Sequence, residues 1–328
     1  QLVGPGYEGS AVAIQPSTGK ILAMASNPGY NPNDLMGDSA EDVWASLQEQ
    51  EGQPLVNHAG AETLPPGSIF KIITTAAGLN NGFNPSSTLT GSNVITLPDT
   101  VTELTNYANQ KCNGQDAVTL QTAFALSCNT AFVEMSEQLG ADELRKYAKA
   151  FGVGENYDLG VSTSAGTLGD LPDGAATAQS AIGQRDVTMT ALQAAVMAGT
   201  VANKGTRMQP YLVNRITDAQ MKDIRTTKPK KADQAVNEET AATLTDLMYA
   251  SERSSAGYDG NGFASKTGTA EHGEGLAPHV WYVAFDPERD IAVGVVVKNG
   301  GNLGESATGG KVSGPIGRAI LRAYQGEQ

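Results

Sequence analysis

Apolar positions fall into two kinds of run along this chain. Short runs with strand character lie near both ends. Residues 10–15 and 20–24 are two of them, and Pro16-Ser17-Thr18-Gly19 between them is turn chemistry, so the pair reads as a hairpin. Pro28, Gly29 and Pro32 end it. Residues 262–269, 280–286 and 291–298 are three further strand candidates, the last two joined by Pro287-Glu288-Arg289-Asp290. Longer runs with helical character fill the middle. Residues 38–51 predict a short helix. Pro65-Pro66-Gly67 breaks the chain, and the apolar stretch 69–79 behind it predicts a buried helix stopped near Asn81-Gly82. Residues 119–139 predict two helical stretches interrupted around Ser127, and another helix starts at Ala141 and ends at Gly152. Helices are also predicted over 188–202, over 237–251 with acidic residues in its first turn, and over 315–324. Residues 155–177 are rich in Gly, Ser, Thr and Asp and read as loop; Lys228-Pro229-Lys230-Lys231 reads as a solvated loop.

Strands at both ends and helices between them predict an α/β chain of the α+β type. An antiparallel sheet carries helices on its faces, and a helical subdomain is inserted between its edges. The sheet subdomain takes residues from about 9–66 and 257–328, the mostly helical one about 67–256. With 328 residues the chain can build a sizeable core, and it shows no internal repeat. The net charge of −13 argues against a nucleic-acid-binding surface. No apolar run approaches the roughly 18 residues that span a membrane. The chain opens at Gln1 without an initiator Met, so it reads as a fragment whose targeting segment was removed. Cys112 and Cys128 fit no zinc or redox spacing. A disulfide and two separate thiols both stay open.

Three short motifs carry chemistry. Ser68-Ile69-Phe70-Lys71 follows the breaker and opens a helix. Residues three apart there share a face, so Lys71 can reach the Ser68 hydroxyl. The Ser68 amide lacks an intrahelical partner and can face a carbonyl oxygen. A serine becomes a nucleophile when a base takes its proton, and a lysine is a base only when neutral. Lys266 is the candidate second cation that would keep it so. A second Ser-x-x-Lys, Ser17 to Lys20, sits in the hairpin turn and serves as a decoy. Ser127-Cys128-Asn129 interrupts two helices; Ser127 can relay a proton, and Asn129 can donate to a substrate carbonyl. Lys266-Thr267-Gly268-Thr269 lies on a predicted strand, with Lys266 and Gly268 on one face and Thr267 and Thr269 on the other. Gly268 allows a ligand strand to approach, the Thr269 amide can be a second oxyanion donor, and Lys266 with a threonine hydroxyl can hold a carboxylate. Each motif alone is also what a helix cap, a turn or an exposed lysine looks like.

Taken together in this order, the three motifs resemble those of class B penicillin-binding protein transpeptidase domains, over nearly the whole chain. Residues 11–33 are similar to that family's opening strands. Ile182-Gly183-Gln184 with Thr190-Ala191-Leu192-Gln193, and Lys266 to Glu271, are similar to two further blocks. Ser-Cys-Asn and Ile-Gly-Gln-Arg-Asp are most similar to the actinobacterial A-type members. Ser254-Ser255-Ala256-Gly257 and Ala191 depart from the usual pattern. The resemblance implies a beta-lactamase/transpeptidase-like fold and a D,D-transpeptidase. Ser68 would be the nucleophile, Lys71 the base and Ser127 the relay, with Asn129, Lys266, Thr267, Gly268 and Thr269 binding substrate. It implies no cofactor and no metal. Its ligands would be peptidoglycan stem peptides ending in D-Ala-D-Ala and beta-lactam antibiotics, and its partners cell-wall synthesis or division proteins. It further implies a place on the extracytoplasmic face of the plasma membrane, through an N-terminal anchor absent from this chain.

Rivals of the same fold are a D,D-carboxypeptidase, a beta-lactamase and a non-catalytic penicillin sensor. A Ser-His-Asp hydrolase lacks its Gly-x-Ser-x-Gly, and His58, His272 and His279 have no signature context. Gly4 to Gly9 fits a dinucleotide fingerprint but precedes the first strand.

Overall fold

The computed structural model describes residues 7–273 and 275–325. Of the glycine fingerprint, Gly4 and Gly6 lie outside these residues, and Gly9 opens a strand, not a helix. The predicted hairpin is β1 (Gly9–Ile14) and β2 (Ile21–Asn27). Then come α1 (Ala40–Glu49), α2 (His58–Ala61), a tight 3₁₀ turn Gly67–Phe70 and α3 (Lys71–Asn80). Short strands β3 (Thr88–Thr90), β4 (Val94–Thr96), β5 (Glu103–Thr105) and β6 (Ala117–Thr119) follow. Helices α4 (Leu120–Leu126), α5 (Asn129–Ala150), α6 (Gly174–Ala181) and α7 (Ala191–Ala202) come next. Strands β7 (Thr206–Met208), β8 (Arg215–Thr217), β9 (Asp223–Thr226) and β10 (Lys231–Gln234) precede α8 (Glu238–Ser254). The chain ends with β11 (Ala264–Ala270), β12 (His279–Asp286), β13 (Ile291–Val297) and α9 (Ser313–Gln325).

Both ends of the chain build one antiparallel sheet in the order β11-β12-β13-β1-β2. Strand β1 pairs with β13, Gly9 opposite Val297 and Ile14 opposite Ala292. The long middle segment leaves from β2 at one edge and returns at β11 at the other. Side chains of β12 and β13 alternate between two buried layers. Val283, Phe285, Ala292 and Val296 join the main core with α7, whereas Tyr282, Val293 and Ala284 pack with Leu321 of α9. With both faces covered the strands lose polar alternation, which is why 291–297 reads as an unbroken apolar run. Helix α7 lies within the middle segment of the chain yet packs on β1 and β13.

Two stretches differ from the sequence expectation. The 155–177 loop gives way at Gly174 to α6, capped by Asp173 Oδ1, which accepts from Ala176 N at 2.7 Å. The small residues of α6 hide its periodicity. The middle segment also carries four two-stranded ribbons, β3-β6, β4-β5, β7-β10 and β8-β9, too short to signal themselves.

Edge strand β11 is held from below by a buried ion pair. Glu252, near the end of α8 and fully buried, accepts from Arg318 Nε of α9 at 2.6 Å, Tyr282 OH at 3.0 Å and Asn261 Nδ2 at 2.9 Å. It also accepts from Ser265 Oγ, one residue before Lys266. Arg318 donates further to Ala256 O and Ser255 Oγ, both at 3.1 Å. Removing one partner strands a buried charge. Glu252→Ala is therefore expected to cost about 3–5 kcal/mol and to lower the calorimetric melting temperature by about 10 °C, with a smaller loss for Glu252→Gln.

Candidate active site

Ser68 sits in the 3₁₀ turn ahead of α3, on a segment pinned at three points. Leu64 N and O pair with Met189, Trp281 Nε1 donates to Pro65 O at 2.8 Å, and Gly67 N donates to Gly183 O at 2.9 Å. A Cβ on Gly183 would stand 2.1 Å from Gly67 O, so only glycine lets these backbones touch. Ser68 is half-buried, and its Oγ has no hydrogen-bond partner among the described residues.

The expected contact between Lys71 and the Ser68 hydroxyl is not made. Lys71 Nζ donates to Ser127 O at 2.8 Å and Asn129 Oδ1 at 2.7 Å, and lies 3.3 Å from Ser127 Oγ. A fully buried ammonium gathers whatever acceptors are near, and catalytic hydrogen bonds commonly tighten only with substrate in place. Ser127 ends α4 in a left-handed conformation, φ 61° and ψ 39°, uncommon for a residue with a side chain. The next residue, Cys128, is disulfide-bonded to Cys112, which resolves the open cysteine question and braces this turn. Asn129 then starts α5, with Nδ2 donating to Thr105 O at 3.1 Å.

Lys266 closes the site from β11. Its Nζ donates to Ser127 Oγ at 2.9 Å and Thr267 O at 3.1 Å, and it too is fully buried. The two lysine nitrogens thus lie at most about 6 Å apart around one hydroxyl. At that separation two charges repel by about 3 kcal/mol at an effective dielectric of 20. Among the described residues, neither lysine has a carboxylate partner; their neighbours are the rings of Phe132, 5.2 Å from Lys71, and Phe124, 5.6 Å from Lys266. Burial, and then the charge of Lys266, hold Lys71 well below the ordinary lysine range. Burial lowers Lys266 to about 7. Both amines are thus easier to deprotonate than an ordinary lysine, and the charge of Lys266 adds to that effect at Lys71.

Gly268 does not open space for a ligand as expected; it is buried against the serine turn, where an added Cβ would come within 2.7 Å of Pro66 O and 3.1 Å of Ile69 Cγ2. Thr267 and Thr269 are half-buried along this edge strand. The decoy is elsewhere: Ser17 is exposed and donates from Oγ to Asp290. His58 is engaged by Glu62 and two backbone carbonyls, and His272 stacks on His279 with ring centroids 3.8 Å apart. No group of three or more metal-ligating side chains occurs among the described residues. Sequence reasoning missed the buried rings of Phe124 and Phe132, the Thr105 carbonyl and the Glu252 clamp. None has a local signal.

The model of the penicillin-binding protein transpeptidase domain matches residues 9–322. The chain belongs to this family. It is 46% identical over 329 residues to the peptidoglycan D,D-transpeptidase PbpA of Mycolicibacterium smegmatis, covering 96% of this chain and 66% of that one. It is 43% identical to PbpA of Mycobacterium tuberculosis, over 98% and 68%. The chain thus spans about two thirds of the length of these curated relatives. Its fold superposes on the M. tuberculosis penicillin-binding protein A ceftriaxone acyl-enzyme with a TM-score of 0.93 and 42% identity, covering 97% of this chain and 74% of that one. The transpeptidase domain from Eggerthella lenta is more distant, with a TM-score of 0.84 and 26% identity over 98% and 79%. The family match and these folds agree with the antiparallel, helix-flanked sheet expected from sequence.

The lysine pair sets a pH dependence for acylation by a penicillin. If the reaction needs Lys71 neutral, the rate is lost as pH falls through its lowered pKa. If it needs Lys266 charged, the rate is lost as pH rises through about 7. The second-order rate constant should be bell-shaped in pH, and Lys266→Arg should remove the descending limb, measured by stopped-flow acylation from about pH 5 up to the ordinary lysine pKa of about 10.

Proposed function

We propose that this chain is the catalytic domain of a peptidoglycan D,D-transpeptidase acting through a Ser68 acyl-enzyme. The carrying observation is the pair of buried lysines converging on Ser127 Oγ beside a helix-opening serine whose own hydroxyl is unengaged. The names of the mycobacterial relatives and the beta-lactam acyl-enzyme of the M. tuberculosis protein support the same reading. The site lies between a sheet subdomain, about 9–66 and 257–328 together with α7, which packs on β1 and β13, and the mostly helical remainder of about 67–256.

The stem peptide lies along the β11 edge as an added strand. Its terminal carboxylate meets Lys266 and the hydroxyls of Thr267 or Thr269. Asn129, whose Oδ1 is held by Lys71, keeps one amide proton for a substrate carbonyl. Ser68 Oγ attacks the carbonyl of the D-Ala-D-Ala bond while neutral Lys71 takes its proton. The oxyanion is stabilised by the amides of Ser68 and Thr269. The proton passes through Ser127 to the departing amine, the C–N bond breaks, and D-Ala leaves. An acceptor amine then attacks the ester, returning a proton to Ser68 and forming the cross-link. A beta-lactam acylates Ser68 by the same first half. Among the described residues no carboxylate is hydrogen-bonded to Ser68, Lys71 or Lys266, which favours a long-lived adduct over rapid hydrolysis. The Cys112–Cys128 disulfide favours an oxidising compartment, in keeping with work on the extracytoplasmic face of the membrane.

Labelled penicillin should form an adduct that mass spectrometry still detects after an hour, on the wild type and on Ser17→Ala but not on Ser68→Ala. Release within seconds would instead mark a beta-lactamase. With a stem-peptide mimic and an added amine, an amide product is expected. Hydrolysis alone would mark a carboxypeptidase, and no turnover a sensor.

A further inference from the structure

Two buried rings stand against the lysine pair and have no part in the chemistry above. Lys71 Nζ lies over the ring of Phe132, 5.2 Å from its centroid, and Lys266 Nζ over the ring of Phe124, 5.6 Å from its centroid. Both distances fall inside the roughly 6 Å within which a ring face attracts an ammonium. Both rings are fully buried. They come from the two helices that meet at the Ser127 turn, Phe124 from the last turn of α4 and Phe132 from the first turn of α5. Their centroids are 6.5 Å apart, with the planes tilted by 55°. The turn that sets one hydroxyl between two nitrogens thus also brings one ring to each nitrogen.

The charges on the neighbouring elements are engaged elsewhere. Helices α5 and α8 pack on α3; β12, α8 and the serine turn pack on β11. Glu134 of α5 accepts from Thr90 N, Glu252 of α8 from Arg318 and Ser265, and His279 of β12 stacks on His272. Tyr282 of β12 donates to Glu252, and Asp286 at the end of that strand pairs with Arg289. The charge that acts on Lys71 is that of Lys266.

A carboxylate in the place of either ring would raise the lysine's pKa and keep the proton on it. An aliphatic side chain would fill the space and hold neither form. A ring face lies between these: it attracts the ammonium, yet carries no charge that would pin the proton. We propose that Phe132 and Phe124 are positioning residues, each a neutral counter-group that holds one lysine's ammonium in place and sets the pH at which that lysine titrates. Phe132 offsets part of the desolvation of Lys71, so the proton taken from Ser68 has a place to rest before it moves on. Phe124 does the same for Lys266, which must stay charged to meet a substrate carboxylate. The parts given to the two lysines rest on the function proposed above.

The test removes the ring's electrostatics and keeps its shape. A ring-fluorinated phenylalanine fills nearly the same volume but lacks the negative face. At position 124 it should lower the titration of Lys266 by about one pH unit, and at position 132 that of Lys71 by a similar amount. Both are read by NMR of labelled lysine side chains, assigned with Lys71→Arg and Lys266→Arg. In stopped-flow acylation by penicillin, fluorination at 132 should carry the ascending limb of the pH profile to lower pH, and at 124 the descending limb. Lysine titrations left unchanged or raised by fluorination overturn the role of the rings. So does a rate profile that falls as a whole with neither limb moved, which is the mark of packing alone. Titrations that move while the rate profile stays put overturn the part of the rings in acyl transfer. A wild type that penicillin does not label overturns the reading of Ser68, whereas the lysine titrations report on the rings in either case.

Discussion

Two lysines buried without a carboxylate between them are the constraint on which the site depends. Water would solvate both ammonium groups, and a surface would let them separate. Here the sheet edge and two helices remove the water and hold both nitrogens around Ser127 Oγ. Desolvation disfavours each charge, and mutual repulsion makes the first proton still easier to lose. A pair so placed does not remain doubly charged near neutral pH. The protein thus obtains a neutral amine base and a cation from identical side chains, by position alone.

Holding that pair requires rigid supports from distant parts of the chain. Lys71 comes from a helix start, Ser127 from a left-handed turn braced by the Cys112–Cys128 bridge, and Lys266 from an edge strand. A disulfide closing a loop of this length stabilises by about 3 kcal/mol, and this one sits between the two functional residues of its motif. On the other side, the Glu252–Arg318 pair ties β11 to α8 and α9 just before Lys266. Such a pair adds little net stability but is costly to break, so it serves register more than energy. Close backbone approach does the rest: Gly183 on Gly67, and Gly268 against Pro66, draw the serine turn onto the strand.

Much of this architecture was legible because it is local. The hairpin of residues 10–24, the breaker before Ser68, the interruption at Ser127 and the three C-terminal strands all announce themselves through turn residues and apolar runs. Helix α6 and the small ribbons were not legible; short elements of small or mixed residues have no period to detect. Ser68 and the decoy Ser17 show the limit of a motif. Both begin a Ser-x-x-Lys, yet one stands free beside Gly183 and the other is spent on Asp290 at an exposed turn.

The sequence by itself determined the residue types, their spacing and the helix start, turn and strand that carry them, since those follow from backbone propensities within a few residues. Only the tertiary structure decided that Lys71 leans on Ser127 and Asn129 in place of Ser68, that the two cysteines pair, and that Glu252 stands beneath the strand. These are contacts between residues far apart in the chain. Burial, which sets the lysine charges, is a property of the assembled layers and of no single segment.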